Sequence, residues 1–168
     1  MGVAIQFDAA TNVATLSGQA MVFHCHHYNS TLQRTIEEGM GAEAFHLLTI
    51  AAQEAARKQL KQLVSSGTSP KEAFSQAAAL FAELGFGSLD FSGLGPRGGV
   101  VISPSSHYGM SWLVKFGERK DPACEFPAGY VAAAVMVAFH LEPERVRVRE
   151  ASCVACGAPA CRFEVEVL

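Results

Sequence analysis

Val146-Arg-Val-Arg-Glu150-Ala-Ser-Cys153-Val-Ala-Cys156-Gly157-Ala-Pro159-Ala-Cys161-Arg-Phe-Glu-Val-Glu-Val167 is the stretch whose reading decides the fold. Val146 and Val148 alternate with Arg145, Arg147 and Arg149, and Cys161, Phe163, Val165 and Val167 alternate with Arg162, Glu164 and Glu166. Both runs carry the two-residue period of a half-buried strand, and Gly157 and Pro159 place a turn between them. The segment predicts a C-terminal antiparallel hairpin. If its polar faces pair, arginines oppose glutamates across the two strands on a solvated sheet face.

Working upstream, Pro127 opens an apolar helix through His140, and Pro143 follows its end. The run Ala128 to Leu141 is about 14 residues long, short of the ~20 a bilayer span needs. No membrane span is expected. Val100-Val101-Ile102 reads as a strand stopped by Ser103-Pro104, and Leu89 to Phe91 as a short strand within a stretch, 85–99, that holds six glycines. Gly93-Leu-Gly-Pro-Arg-Gly-Gly99 lacks the Gly-Lys-Ser/Thr ending of a phosphate loop and reads as a hairpin turn. Ser111 to Gly117 fits neither period.

Two helices are plain in the first half. Phe45, Leu48, Ala52, Ala56, Leu60 and Leu63 recur at three- and four-residue steps, giving a helix over about 42–64. Ser69, Pro70 and Glu72 form an N-cap, N1 and N3 signature for another that ends at Leu84-Gly85. Asn29, Ser30 and Thr31 supply caps for a shorter helix through Glu38. Before them, Val3, Ile5 and Phe7 pair with Val13 and Thr15 as an N-terminal hairpin, and Ala20 to Tyr28 reads as extended. Strands, helices, strands, one helix and strands make an α+β class, with an antiparallel sheet, helices on one side and a metal-pinned terminal hairpin. One domain is expected over 1–168: hairpin and strand over 1–28, a helical region over 29–85, and strands, helix and metal-binding hairpin over 86–168.

The 168 residues, 49% hydrophobic and 17% charged, are too apolar for disorder and low in charge for a fully exposed monomer. A covered surface, and hence a homodimer, is expected. Thirteen Lys and Arg against sixteen Asp and Glu give a net charge of −3, with no basic run, which argues against direct nucleic-acid binding. The N-terminal residues lack a basic flank followed by an apolar core, so a cytoplasmic chain is expected. Its five cysteines then read as thiols or metal ligands rather than disulfides.

Cys153, Cys156 and Cys161 fall within nine residues, and Cys124 precedes the apolar helix. A turn can converge thiolates on one metal at about 2.3 Å. Two ligand sets compete: Cys124, Cys153, Cys156 and Cys161, or the same set with Glu150 in place of Cys156. Either makes a closed, four-coordinate structural site. Small buried thiols without metal are the plainer alternative. A CxxC redox pair is weakened because no helix follows Cys153 to lower its pKa.

Cys124-Glu-Phe-Pro-Ala-Gly-Tyr130, the apolar helix, and Glu150-x2-Cys153-x2-Cys-Gly-x3-Cys161-x-Phe-Glu-Val165 resemble the C-terminal half of the 4-vinyl reductase domain family. That family includes sensor domains of phenol-responsive activators, and its fold is similar to that of TRAPP-type subunits. The resemblance covers about 100–168. It implies zinc held by Cys124, Glu150, Cys153 and Cys161, with Cys156 outside the site. Such a metal ties the final hairpin to the start of the apolar helix and has no catalytic position.

Phe23-His24-Cys25-His26-His27-Tyr28 is the second unusual run. On a strand, His24 and His26 share a face about 6.7 Å apart, close enough to chelate a metal or haem, or to line a pocket. His107, Tyr108, Trp112, Tyr130 and Phe139 are further pocket candidates, and His24, His26, Trp112 and Tyr130 are taken as the ligand-binding set. The leading expectation is a non-catalytic, homodimeric binding or sensory domain for a hydrophobic small molecule or a tetrapyrrole, with one structural zinc. With no output domain expected, its signal passes through dimerisation or a partner. Two alternatives stand beside it. One is an enzyme or accessory protein in vinyl-group reduction, which would borrow its reductant because no dinucleotide fingerprint is present. The other is a thiol switch that releases metal on oxidation.

Overall fold

A computed structural model describes residues 5–16, 18–22 and 24–168. β1 (Ile5–Asp8), β2 (Val13–Leu16) and β3 (Gln19–Met21) form a small antiparallel sheet in that order. Asp8 closes the first turn by accepting from the Ala10 amide at 2.8 Å and the Thr11 hydroxyl at 2.9 Å. The expected N-terminal hairpin is present from Ile5 onward; Val3 lies outside the described residues.

α1 (His26–Met40) and α2 (Glu43–Leu63) follow, then α3 (Pro70–Glu83). α3 starts as its signature predicts, with the Ser69 hydroxyl accepting from the Glu72 amide at 3.3 Å. α1 corrects the sequence reading. The extended stretch stops at Met21, and the helix begins at His26 rather than beyond Asn29. Cys25 flanks it with no side-chain cap bond, and Ser30 is buried inside the helix. His24 to Tyr28 is exposed throughout and offers no apolar alternation that a sheet face could bury, so nothing fixes it as a strand. Phe23 lies outside the described residues.

The second sheet runs β4-β5-β7-β6, all antiparallel, from β4 (Asp90–Gly95), β5 (Gly98–Ser103), β6 (Val146–Ser152) and β7 (Cys161–Val167). The glycine-rich stretch makes the β4–β5 hairpin, as expected. In the terminal hairpin Arg147 faces Glu166 and Arg149 faces Glu164, and Arg149 and Glu164 form an ion pair. The charges oppose one another across the hairpin as the alternation predicts.

Between β5 and β6 lie α4 (His107–Phe116) and α5 (Glu125–Phe139). α4 resolves the ambiguous stretch as a helix begun by the Ser106 hydroxyl, which accepts from the Gly109 amide at 3.4 Å. α5 starts two residues before Pro127, which costs nothing because the first-turn amides lack helical partners. It is buried along nearly its whole length, packed between α2 and α3 on one side and β6 and β7 on the other. A helix apolar all round has no solvent face, so it forms the centre of the core. Among the described residues, no helix is long and apolar enough to cross a membrane.

Candidate metal centre

Three elements deliver four donor groups to one buried point. Cys124 flanks the N-terminus of α5, Glu150 and Cys153 come from the end of β6, and Cys161 opens β7. Along β6 the core-facing phase runs Val146, Val148, Glu150, so the strand period carries a carboxylate into the interior. A bulge between Glu150 and Ser152 then re-aims the chain before Cys153. That acid in the apolar phase was a readable sign of a site.

The sulfur of Cys124 lies 3.4 Å from that of Cys161 and 3.9 Å from that of Cys153, and Cys153 and Cys161 are 3.9 Å apart. All four donor atoms lie within 4.8 Å of one another, and all four residues are buried. Tetrahedral zinc with sulfur at about 2.3 Å requires sulfur–sulfur edges of roughly 3.8 Å. One Glu150 oxygen accepts from the Cys124 backbone amide at 2.9 Å. The other, Oε1, is buried with no hydrogen-bond partner among the described residues. An unsatisfied buried carboxylate oxygen beside three thiols is the donor set a borderline-soft divalent cation fits.

The acids cannot all ionise on their own. Contacts from Cys124 and Cys161 hold the Cys153 thiol well below the usual thiol range, while the contact with Cys153 pushes Cys124 up. Burial, with Cys153 beside it, pushes Glu150 up to about 8. A bound cation reverses this pattern by paying for the ionised forms. The Val154 amide donates to the Cys161 sulfur at 3.4 Å, and the Ser106 hydroxyl lies 3.1 Å from the Cys124 sulfur.

Cys156 stands apart. Its thiol points to the Lys120 carbonyl at 3.6 Å, and burial pushes it up to about 11. Cys156 ends the one-turn helix Val154–Cys156 and is not among the four donors that lie within 4.8 Å of one another.

Sequence reasoning missed Gly109. A Cβ there would sit 3.3 Å from the Cys161 sulfur and 3.4 Å from the Cys124 sulfur. Alanine normally gains about 1 kcal/mol over glycine inside a helix. Here the sulfurs cannot retreat without breaking their mutual spacing, so Gly109→Ala is expected to destabilise by about 1–3 kcal/mol, the range for overpacking. Urea denaturation checks the sign.

The histidine strand does not form. His24 precedes α1 and stacks on Tyr28 at 4.5 Å, whereas His26 is the first helical residue and lies against His27 at 3.9 Å. The shared strand face proposed for chelation is therefore absent. Among the described residues, the group of three or more with metal-ligand spacing is Cys124, Glu150, Cys153 and Cys161.

Tyr130 is buried in the core, its hydroxyl donating to the Ala77 carbonyl at 2.8 Å. Trp112 is also buried, with the Arg119 guanidinium 4.0 Å over its ring. His24 lines a cavity of about 230 Å³ with His107, Tyr108 and Phe86. A second cavity of about 270 Å³ lies between α1 and α2 over Tyr108 and Phe126. Phe139 lines a separate cleft with Phe74 and Phe91.

This arrangement of helices and antiparallel sheets is the fold of the sensory-domain and vinyl-4-reductase proteins, as the Cys124 to Val165 pattern predicts. The chain is similar to the phenol-responsive sensory domain of the transcription activator PoxR, solved with phenol. The TM-score is 0.80 at 19% identity, over 97% of this chain and 84% of that one. It is also similar to a vinyl-4-reductase family protein from Methanocaldococcus jannaschii, with TM-score 0.60 at 17% identity over 90% of this chain and 86% of that one. At these identities the likeness is one of fold. No protein-family profile matches the chain, and no curated protein matches it by sequence.

Proposed function

We propose that the protein is a cytoplasmic, non-catalytic small-molecule-binding or sensory domain, homodimeric, with one structural zinc. The observation that carries the metal is the convergence of Cys124, Glu150, Cys153 and Cys161 within 4.8 Å. Four protein donors leave no open position for substrate, so the zinc would pin the β6–β7 hairpin to the start of α5 rather than do chemistry. The likeness in fold to a phenol-responsive sensory domain supports the binding role, and apolar cavities beside α1 and α2 give a compact hydrophobic molecule somewhere to sit.

X-ray absorption at the zinc edge tests the donor set. Three sulfurs and one oxygen are expected. Four sulfurs would put Cys156 in the site and remove Glu150 from it.

Exposed apolar side chains support the dimer. Val114 is 86% exposed, with Met110 and Leu113 beside it on α4 and Leu32 and Met40 on α1. Such surface is normally covered by a partner. Sedimentation equilibrium at micromolar concentration should return twice the chain mass, and Val114→Asp should shift it toward one chain. A monomer at all concentrations would end the dimer reading.

A further inference from the structure

α1 is attached to the molecule differently from its neighbours in the chain. α2 buries Ala44, Ala52, Ala56 and Leu60, and α3 buries Phe74, Leu80 and Phe81 among others, whereas α1 buries only Ser30 and Gln33. Apolar burial is what fixes a helix in place. α1 has almost none, with Ile36 half-buried and Tyr28, Leu32 and Met40 exposed.

Its ties are polar instead. Lys115 Nζ of α4 donates to the His27 carbonyl at 3.0 Å and to the Thr31 hydroxyl at 2.6 Å. The Gln33 amide donates to the Ala123 carbonyl at 3.0 Å and to Glu125 at 2.6 Å, and Arg119 donates to Glu37 at 3.1 Å. Arg119 is itself held in place. Its backbone amide donates to the Ala155 carbonyl in the β6–β7 turn at 2.9 Å, and its guanidinium lies over Trp112. The anchors therefore belong to α4, the segment after it and the start of α5, not to α1. At its C-terminal end α1 joins α2 through Gly41, whose φ of 59° is in the region that favours glycine. Nothing lies within 4 Å of a Cβ placed at Gly39 or Gly41, so the joint is uncrowded. Asn29, Leu32 and Gln33 of the same helix wall the cavity of about 270 Å³ that Ala52 of α2 also lines.

We infer that α1 is a movable wall of this cavity, swinging as one helix about Gly41 when its polar ties to α4 and to residues 117–125 release. The purpose of the movement, admitting a molecule to the cavity, rests on the small-molecule-binding reading above. Hydrogen exchange reads the movement with no ligand present, so its failure leaves that reading standing.

Two adjacent carboxylates make the test. Glu37 pairs with Arg119 across the joint between α1 and its anchors, with side chains 18% and 17% exposed. Glu38 pairs with Arg34 inside α1, with side chains 63% and 49% exposed. Glu37→Gln and Glu38→Gln carry the same charge change, so shielding of α1 by a second copy is common to both. In the unaltered protein the amides of 26–40 should exchange about tenfold or more faster than the amides of α2 and α5. Glu37→Gln should speed exchange along the whole of α1 by about tenfold, the loss of a charged hydrogen bond, and leave α2 and α5 unchanged. Glu38→Gln should change it by about twofold or less, because an exposed pair contributes little. Ala52→Cys, with Cys25→Ser and Cys156→Ser to remove the two thiols outside the cluster, reads the cavity itself. N-ethylmaleimide should label it about tenfold faster once Glu37→Gln is added. Protection of α1 equal to that of α2, equal effects of the two glutamine variants, or acceleration confined to the end turns would overturn the inference. Faster exchange with unchanged labelling of the Ala52→Cys protein would overturn the place of α1 as the wall of this cavity.

Discussion

Cys161→Ser is expected to strip the metal and lower stability by about 4 kcal/mol, because loss of a structural metal is among the few single changes of that size. For a chain of this length the melting temperature should fall by roughly 8–16 °C. Three links lead to that figure. Cys161 is fully buried at the start of β7, its sulfur 3.4 Å from that of Cys124 and 3.9 Å from that of Cys153. Serine in its place leaves two thiols and Glu150 crowded with an incomplete ligand set. The hairpin β6–β7 then loses its tie to α5, while the sheet register and the aromatic core remain. Cys156→Ser is the control, since that sulfur faces the Lys120 carbonyl and should leave metal content unchanged and stability within ~0.5 kcal/mol. Indistinguishable behaviour of the two variants would mean the cluster is ordinary packing.

Gly129→Val should prevent folding, and even Gly129→Ala is expected to cost about 3 kcal/mol. A Cβ at Gly129 would stand 2.4 Å from the Thr49 carbonyl oxygen and 2.8 Å from both the Ala52 Cβ and the Gln53 amide nitrogen. Two of those three are backbone atoms of α2 and cannot rotate aside. α5 cannot move away either, because β6 and β7 press on its other side and close-packed interiors do not yield continuously. Gly39→Ala supplies the opposite sign. Nothing lies within 4 Å of its Cβ position in α1, so the same substitution should stabilise by about 0.5 kcal/mol through the unfolded chain. Chemical denaturation of both alanine variants makes the comparison; two losses, or two gains, would contradict the packing argument.

The parts of this fold written in local pattern were legible. The terminal hairpin was readable because two opposed polar faces and two apolar faces share one period, and α3 because Ser69, Pro70 and Glu72 satisfy its first turn locally. α1 was read through Glu38 but its start was misplaced, because that start has no capping side chain and His24 to Tyr28 carries neither period. α4 was obscured by Gly109 in its first turn, a residue that reads against a helix and is required there by the sulfurs of Cys124 and Cys161. The same limit hid Gly129 and the Gln33–Glu125 contact, which joins residues 92 apart in the chain. Close approaches of this kind belong to tertiary packing and leave no periodic trace. In the metal cluster, spacing alone left Cys156 and Glu150 as alternatives. The fold brings Glu150, carried inward by the strand period, within 4.8 Å of the other three donors, while the Cys156 thiol faces the Lys120 carbonyl.

Metal analysis with thiol titration on the natively purified protein tests the central claim most directly. One zinc per chain is predicted, with Cys25 and Cys156 reacting freely and Cys124, Cys153 and Cys161 reacting only after chelation or unfolding. Five freely reactive thiols and no bound metal would contradict the account.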